Sequence, residues 1–266
     1  MPDGDLDSFL TLAVALAEAA APVTRRYFRR PVEIDDKADR SPVTVADREA
    51  EAAMRPLIAA AFPGHGIVGE ELGAQDPDAD FVWVLDPIDG TKSFITGKPL
   101  FGTLIGLLYR GRAIVGVIDH PALGERWIGV AGRPTTFNGA PVATRTGRTL
   151  DQAWMYATTP HMFPAGYDAT AYARLCDAVR SPVYGAECYA YGLLANGTVD
   201  LVVESTMGPY DYCALVPVVQ GAGGVITDWR GRPLGLEGDG RVLAAGDAAL
   251  HAAAMAVLAE GAETRS

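Results

Sequence analysis

WVLDPIDGTKSF, residues 83–94, carries an apolar strand straight into two negative charges. The run 81–85 is apolar and bounded, as a buried strand is. It ends in Asp86 and Asp89, three positions apart, with Pro87 between them and Gly90-Thr91 behind. A carboxylate at the end of a buried strand is costly unless it is paired or bound to a cation. No Lys or Arg lies within 81–91 to pair with these two. Pro87 fixes one backbone angle and removes a donor, so the carbonyl of Ile88 can turn inward as a further oxygen ligand. Oxygen donors of this kind suit Mg²⁺, which takes one or two carboxylates, keeps waters and accepts a substrate phosphate. Gly90 and Thr91 begin a turn or helix whose N–H groups would cradle that phosphate. The plain alternative is an Asx turn that closes a strand. It explains an isolated D-x-x-D better than D-P-I-D-G-T after an apolar run.

Outward from this stretch, the N-terminal side reads as helical. Residues 5–30 place Leu6, Phe9, Leu10, Ala13, Val14, Leu16 and Ala17 near helical spacing. Pro42-Val43-Thr44 starts a second helix running to about Ala61, with Pro56 as a kink or irregular turn. Residues 67–69, just before the stretch, and 103–109, 113–119 and 126–130 after it read as further strands. YRGRA (109–113) and FNGAP (137–141) read as hairpin turns. TRTGRTLD, residues 144–151, marks a boundary; we divide the chain into 1–145 and 146–266 there. Beyond it the elements alternate: strands at 154–158, 201–204, 224–227 and 242–245, helices at 167–180, 188–195, 211–222 and 247–259. The expected class is α+β, a mainly antiparallel N-terminal sheet followed by an α/β part.

Composition narrows the function. The 266 residues are 49% hydrophobic and carry a net charge of −11. That charge argues against a nucleic-acid or anionic-membrane surface. It would also repel an anionic substrate unless bound cations invert the local field. The first residues carry three acids and no base, unlike a signal peptide, and Glu18 breaks the apolar run, so a cytoplasmic protein without a membrane span is expected. Cys176, Cys188 and Cys213 form no C-x-x-C pair and read as buried thiols. His65 reads as an exposed loop residue, His120 and His251 as structural, and His161 as a pocket candidate. The four tryptophans, Trp83, Trp127, Trp154 and Trp229, read as core or near-core.

Three more acids sit at comparable junctions. Glu70 follows GIVG, Asp47 lies in SPVTVAD, and Asp211 follows GPY. Each alone passes for an N-cap or a solvated acid. As a set, SPVTVAD, GEE, WVLDPIDGT and PYDYCALVPVVQGAGG resemble the inositol monophosphatase-like family of metal-dependent phosphatases, over nearly the whole chain. The resemblance implies a layered α-β-α-β-α fold, a homodimer, two to three Mg²⁺ ions (Mn²⁺ or Zn²⁺ being alternatives) and lithium inhibition. It implies one cation site at Glu70, Asp86 and the Ile88 carbonyl, and a second at Asp86, Asp89 and Asp211. Glu70 would also touch a weaker third ion. Asp47 and Thr91 would orient the attacking water, and the Gly90 and Thr91 amides would hold phosphate oxygens. One departure is Tyr210, where the family has Trp. Phosphoryl transfer needs mainly positioning and charge stabilisation, so no covalent nucleophile is required.

Residues 184–224 and Lys92-Ser93-Phe94 resemble the branch of that family acting on L-histidinol phosphate. Glu187 stands where inositol-type members carry a small residue, and Glu204 lies seven residues before Asp211. Two extra acids beside a phosphate suit a leaving group bearing an ammonium and an imidazole. Inositol monophosphate, a sugar phosphate or a 3′-phosphonucleotide is the second choice of substrate. A third possibility is an interaction protein that keeps the fold, since some bacterial relatives bind the transcription machinery. Lys37, before SPVT, reads either as a contact from a loop expected to close over the metals or as a solvated lysine.

Overall fold

The structure, a computed structural model, describes residues 5–32, 34–36 and 42–260; Lys37 lies outside them. Helices α1 (Asp5–Tyr27) and α2 (Val45–Ala61) enclose a small hairpin of β1 (Ile34–Asp36) and β2 (Pro42–Thr44). So Pro42–Thr44 is a strand, not the start of a helix. The helix begins one residue later, because the hydroxyl of Thr44 accepts the Ala46 N–H and caps it. Helix α1 stops at Tyr27, short of the expected residue 30, and α2 is assigned as one continuous helix through Pro56. Glu18 does not prevent α1 from being long and apolar enough to cross a membrane by length and composition. Its apolar side is spent on protein: Ala13, Leu16, Ala17 and Ala20 are fully buried.

An eight-stranded sheet follows. It contains β3 (Gly66–Gly69), β4 (Gly73–Gln75), β5 (Phe81–Asp89), and, after the short helix α3 (Thr91–Ile95), β6 (Gly102–Tyr109), β7 (Arg112–His120), β8 (Glu125–Val130), β9 (Thr136–Phe137) and β10 (Ala140–Pro141). The order is β10-β9-β8-β7-β6-β5-β3-β4, antiparallel except where β3 runs parallel to β5. Both expected hairpin turns form. Arg110-Gly111 and Asn138-Gly139 all have positive φ, as the tight turns of twisted hairpins require.

The second sheet has five strands, in the order β12-β11-β13-β15-β14. They are β11 (Trp154–Ala157), β12 (Ser181–Tyr184), β13 (Leu201–Glu204), β14 (Val225–Thr227) and β15 (Val242–Ala245), with helices α4 (Tyr167–Ala178), α5 (Tyr189–Ala195), α6 (Pro209–Tyr212), α7 (Leu215–Gly221) and α8 (Ala248–Ala259). It is mixed: β12, β11 and β13 are parallel, while β13, β15 and β14 are antiparallel. The expected helix 211–222 is two pieces, and α4 ends at Ala178 to release β12, which the sequence pattern did not reveal.

Three apolar clusters define the layers. The first joins α1 and α2 to one face of the large sheet through Leu16, Met54, Trp83 and Val117. The second fills the space between the two sheets, where Tyr191 of α5 and Leu215 and Val218 of α7 meet Val82, Leu104, Val202 and Ala244. The third packs Leu175 of α4 and Leu250 and Leu258 of α8 under the small sheet. The fold is therefore α+β, layered α-β-α-β-α. Close approach of α7 to the large sheet depends on glycine: a Cβ on Gly129 would lie 2.3 Å from backbone atoms of Pro217. Trp83, Trp127 and Trp229 are buried, but Trp154, the first residue of β11, is 41% exposed, with the Arg180 guanidinium 5.5 Å from its ring. His65 is not a free loop residue either. Its ring stacks on Phe62 and Phe81 and accepts a hydrogen bond from the Trp83 indole.

Candidate active site

The end of β5 answers why two aspartates close an apolar strand. Asp86 faces Leu104 and Asp89 faces Gly102, so Pro87 and Ile88 together oppose the single residue Thr103. This is a β-bulge. In a regular strand residues three apart point to opposite faces. The extra residue restores Asp86 and Asp89 to the same side. Thr103 binds the Pro87 carbonyl at 2.8 Å, leaving the Ile88 carbonyl toward Thr91, whose hydroxyl lies 3.3 Å away. Asp211, in α6 of the C-terminal half, completes the group: one oxygen each from Asp86, Asp89 and Asp211 lies within 4.8 Å of the others.

The other expected residues come in from neighbouring elements. Parallel pairing of β3 with β5 sets Gly69 beside Leu85, and the Glu70 N–H bonds the Leu85 carbonyl at 3.1 Å. The turn after Glu70 is pinned from below by Glu51, fully buried on α2, which accepts the Glu71 and Leu72 N–H groups. Asp47 is also fully buried; its Oδ2 accepts the N–H and hydroxyl of Thr44, while Oδ1 lies 3.4 Å from the Thr91 hydroxyl. Gly90, with φ of +82°, caps α3. A Cβ there would sit 2.7 Å from Glu187 Cγ, so both the conformation and the space demand glycine.

These acids stand in one another's field. Among the described residues, no Lys or Arg forms an ion pair with Asp86, Asp89 or Asp211. Burial, then the neighbouring charge of Glu70, Asp89 and Asp211, drives the Asp86 carboxyl well above its ordinary range. Burial and Asp89 do the same to Asp211. Asp89 is pushed up to about 7, burial again leading. Asp47 is raised by burial against the lowering pull of its Thr44 hydrogen bonds. A protein-only site of this kind is unfavourable, and hard cations relieve it. The donors are all oxygen, which fits Mg²⁺ rather than a thiophilic ion. The residues that would hold such ions are Glu70, Asp86, the Ile88 carbonyl, Asp89 and Asp211.

The group opens on a cleft of about 450 Å³, also lined by Gly90, Thr91, Glu187 and Glu204. The chain is matched by the model of the inositol monophosphatase family over residues 5–263. It belongs to that family. It is 52% identical to the chloroplastic bifunctional phosphatase IMPL2 of Arabidopsis thaliana over 264 residues, 96% of this chain and 76% of that protein. It is 37% identical to a histidinol-phosphatase of Chlorobaculum parvum, over 88% of this chain and 91% of that one. Among solved structures, an inositol monophosphatase from Zymomonas mobilis matches with a TM-score of 0.87 and 45% identity, over 95% and 98% of the two chains.

The far wall of the cleft carries two further carboxylates, Glu187 and Glu204. Glu204 ends β13 and is buried. Its Oε1 accepts the N–H and hydroxyl of Thr158, and its Oε2 accepts the Tyr191 hydroxyl at 2.9 Å. Glu187 precedes α5; it accepts a hydrogen bond from Ser93 and lies 3.6 Å from the Lys98 ammonium. His161 lines the cleft, while His120 is buried away from solvent and pushed down to about 4 by that burial. Thr158, Tyr191, Glu51 and Lys98 were not among the residues expected from sequence. Thr158 and Tyr191 look like ordinary strand and helix residues until the fold sets them beside Glu204. Glu51 looks like one more acid on an amphipathic helix. Lys98 alone carried a hint, in KSFITGKPL (92–100), where a lysine recurs just past the acidic motif.

Proposed function

We propose that this phosphatase hydrolyses L-histidinol phosphate to L-histidinol and phosphate, with two to three Mg²⁺ ions held by Glu70, Asp86, the Ile88 carbonyl, Asp89 and Asp211. The supporting observation is the leaving-group wall. Glu187 and Glu204 are carboxylates beyond those needed for cations, and a leaving group carrying an ammonium and an imidazole would use them. Bound Mg²⁺ would neutralise the phosphate and lower the pKa of a water. Thr91 and Asp47 would then align that water and accept its proton. Oδ2 of Asp47 is already held by Thr44, which leaves Oδ1 facing the Thr91 hydroxyl. The amides of Gly90 and Thr91 would hold the phosphoryl oxygens. Water would attack phosphorus in line as the P–O ester bond breaks, and the ester oxygen would depart toward the side of Asp89, Asp211, Glu187 and Glu204, taking a proton from solvent in the open cleft to give the alcohol. On this division residues 1–145 supply most cation ligands and 146–266 the leaving-group contacts.

Of the two acids, Glu187 is the more available. Three donors already occupy Glu204. Lys98, its side chain 37% exposed, is a weak competitor for Glu187 that a substrate ammonium can displace. The same ion pair also favours a second reading, inositol 1-phosphate, because a Glu187 neutralised by Lys98 tolerates an uncharged polyol. Phosphate release with both substrates separates them. The wild type should prefer histidinol phosphate, and Glu187→Ala should lower kcat/KM for it by about 10- to 100-fold, the worth of one charge-assisted hydrogen bond. Turnover of inositol 1-phosphate should hold or rise. Faster wild-type turnover of inositol 1-phosphate would overturn the substrate assignment and leave the chemistry standing. Assembly as a homodimer belongs to the same reading. Sedimentation should find a species of twice 28.0 kDa, and a monomer at micromolar concentration would refute it.

A further inference from the structure

Asp89 is held by a tether that runs through a buried cysteine and a buried histidine. The Cys188 N–H donates to Asp89 Oδ2 at 2.7 Å. The Cys188 Sγ lies 3.6 Å from His120 Nε2, and His120 Nδ1 lies 2.8 Å from the Phe101 carbonyl. A carbonyl oxygen only accepts, so Nδ1 carries the imidazole proton. A neutral imidazole then offers the Nε2 lone pair to the thiol, whose other acceptor is the Asp89 carboxylate itself. Phe101 directly precedes Gly102, which faces Asp89 across the β5–β6 ladder. The contacts therefore close a ring: Asp89, β6, His120 at the end of β7, Cys188 before α5, and back to Asp89.

We propose that His120 and Cys188 are positioning residues for Asp89, fixing Oδ2 so that the carboxylate keeps one orientation toward a cation. The proposal rests on reading Asp89 as a cation ligand. The surroundings admit little slack. His120 is fully buried, with Trp127 and Tyr189 standing edge-on to its ring at 5.9 and 4.9 Å. A Cβ on Gly102 would come within 2.6 Å of Cys188 Sγ and 3.0 Å of His120 Cε1. Glu187, just before Cys188, has φ of +52°, a conformation a glutamate holds only where its neighbours enforce it. The Cys188 N–H bond to Asp89 fixes the residue that follows Glu187. It joins a ligand on the large sheet to the wall that carries Glu187, so it bears on cation affinity and on KM together. Groups that orient metal ligands from behind commonly matter about tenfold or more in affinity.

The test is a double-mutant cycle of Cys188→Ala and His120→Asn. Asparagine keeps a donor near the Nδ1 position for Phe101 and loses the acceptor for the thiol. The readouts are the affinity of the metal-free protein for Mn²⁺ by calorimetry and the infrared S–H stretch of Cys188. Each single variant should weaken Mn²⁺ binding about tenfold. The double variant should be no weaker than either single, because the two residues act as one unit. The S–H band should shift in His120→Asn, and Cys188→Ser should recover part of the affinity. Unchanged Mn²⁺ affinity with only a lower Tm, additive effects, or an unmoved S–H band would overturn the proposal. Should His120→Asn not fold, the Mn²⁺ affinity of Cys188→Ala decides alone. Asp89→Asn separates the two layers of inference: unchanged Mn²⁺ affinity in that variant removes Asp89 as a ligand, and the tether's proposed role with it, while the S–H band still reports the tether.

Discussion

Asp86→Asn should lower phosphate release at saturating Mg²⁺ by about a thousandfold while making the metal-free protein more stable. Asp86 is grouped with Asp89 and Asp211, feels the charge of Glu70 as well, and is only 1% exposed. Cation catalysis is worth several kcal/mol of transition-state stabilisation, and about 4 kcal/mol corresponds to three powers of ten in rate. Asparagine keeps the shape and one oxygen acceptor, so the Ile88 N–H that bonds Asp86 Oδ1 at 2.9 Å retains a partner. What disappears is one negative charge. Without metal that charge is a cost, since burial and three neighbouring acids oppose it. The variant's Tm in a chelator should therefore match or exceed the wild type, and Mg²⁺ should raise it less. Activity within tenfold of wild type would remove Asp86 from the cation site. A collapsed Tm in the chelator would mean that Asp86 serves the fold.

The second large effect is the pH dependence of the metal-free protein. Asp89 and Glu204 are both pushed up to about 7, and Asp86 and Asp211 are also raised, with burial the first cause in every case. Their unfolded values are near 4. A carboxyl whose folded pKa is raised holds a proton that the unfolded chain has released. Its stabilising contribution is complete below the unfolded pKa and is lost as pH climbs through the folded one. Stability should fall as pH rises from about 4 to above 7. His120 and His251 act in the other sense, because burial lowers their pKa. Their contribution grows as pH rises toward about 6.5 and is then complete. Between about pH 6.5 and 8 only the acids remain, and the slope is one-sided. In a chelator, Tm should drop by about 10 °C across that interval, matching the loss of a few kcal/mol. Mg²⁺ should stabilise more at pH 8 than at pH 6, since cations bind the ionised form. A metal-free Tm that stays flat or rises from pH 6.5 to 8 would show that the acids are not crowded as described.

Family and chemistry were readable from local sequence because the decisive groups are local. Asp86, Pro87, Ile88, Asp89, Gly90 and Thr91 are consecutive, and an apolar strand running into acids raises the expectation of a cation through the cost of burying charge. The strands at 81–85, 103–109, 113–119 and 126–130 showed for the same reason, as did both glycine turns: period, propensity and turn chemistry agree there. Pro42–Thr44 went wrong because Pro followed by β-branched residues suits a strand as well as the entry to a helix, and only pairing with Ile34–Asp36 decides. β12 was missed because Ser181–Tyr184 is four residues long, contains Pro182 and is only half-buried, so neither an apolar run nor an alternating pattern marks it.

What tertiary structure alone decided is which side chains meet. The bulge that puts Asp86 and Asp89 on one side exists only because β6 offers one residue against two. Asp211 reaches them from another layer of the fold. Glu187 is paired with Lys98 and Ser93, and Cys188 with Asp89 and His120, across separations of 68 to 99 residues. Sequence records the cost of each buried charge, because that cost is paid residue by residue in lost hydration. The partner that offsets it is chosen by packing, and packing is a property of the folded whole.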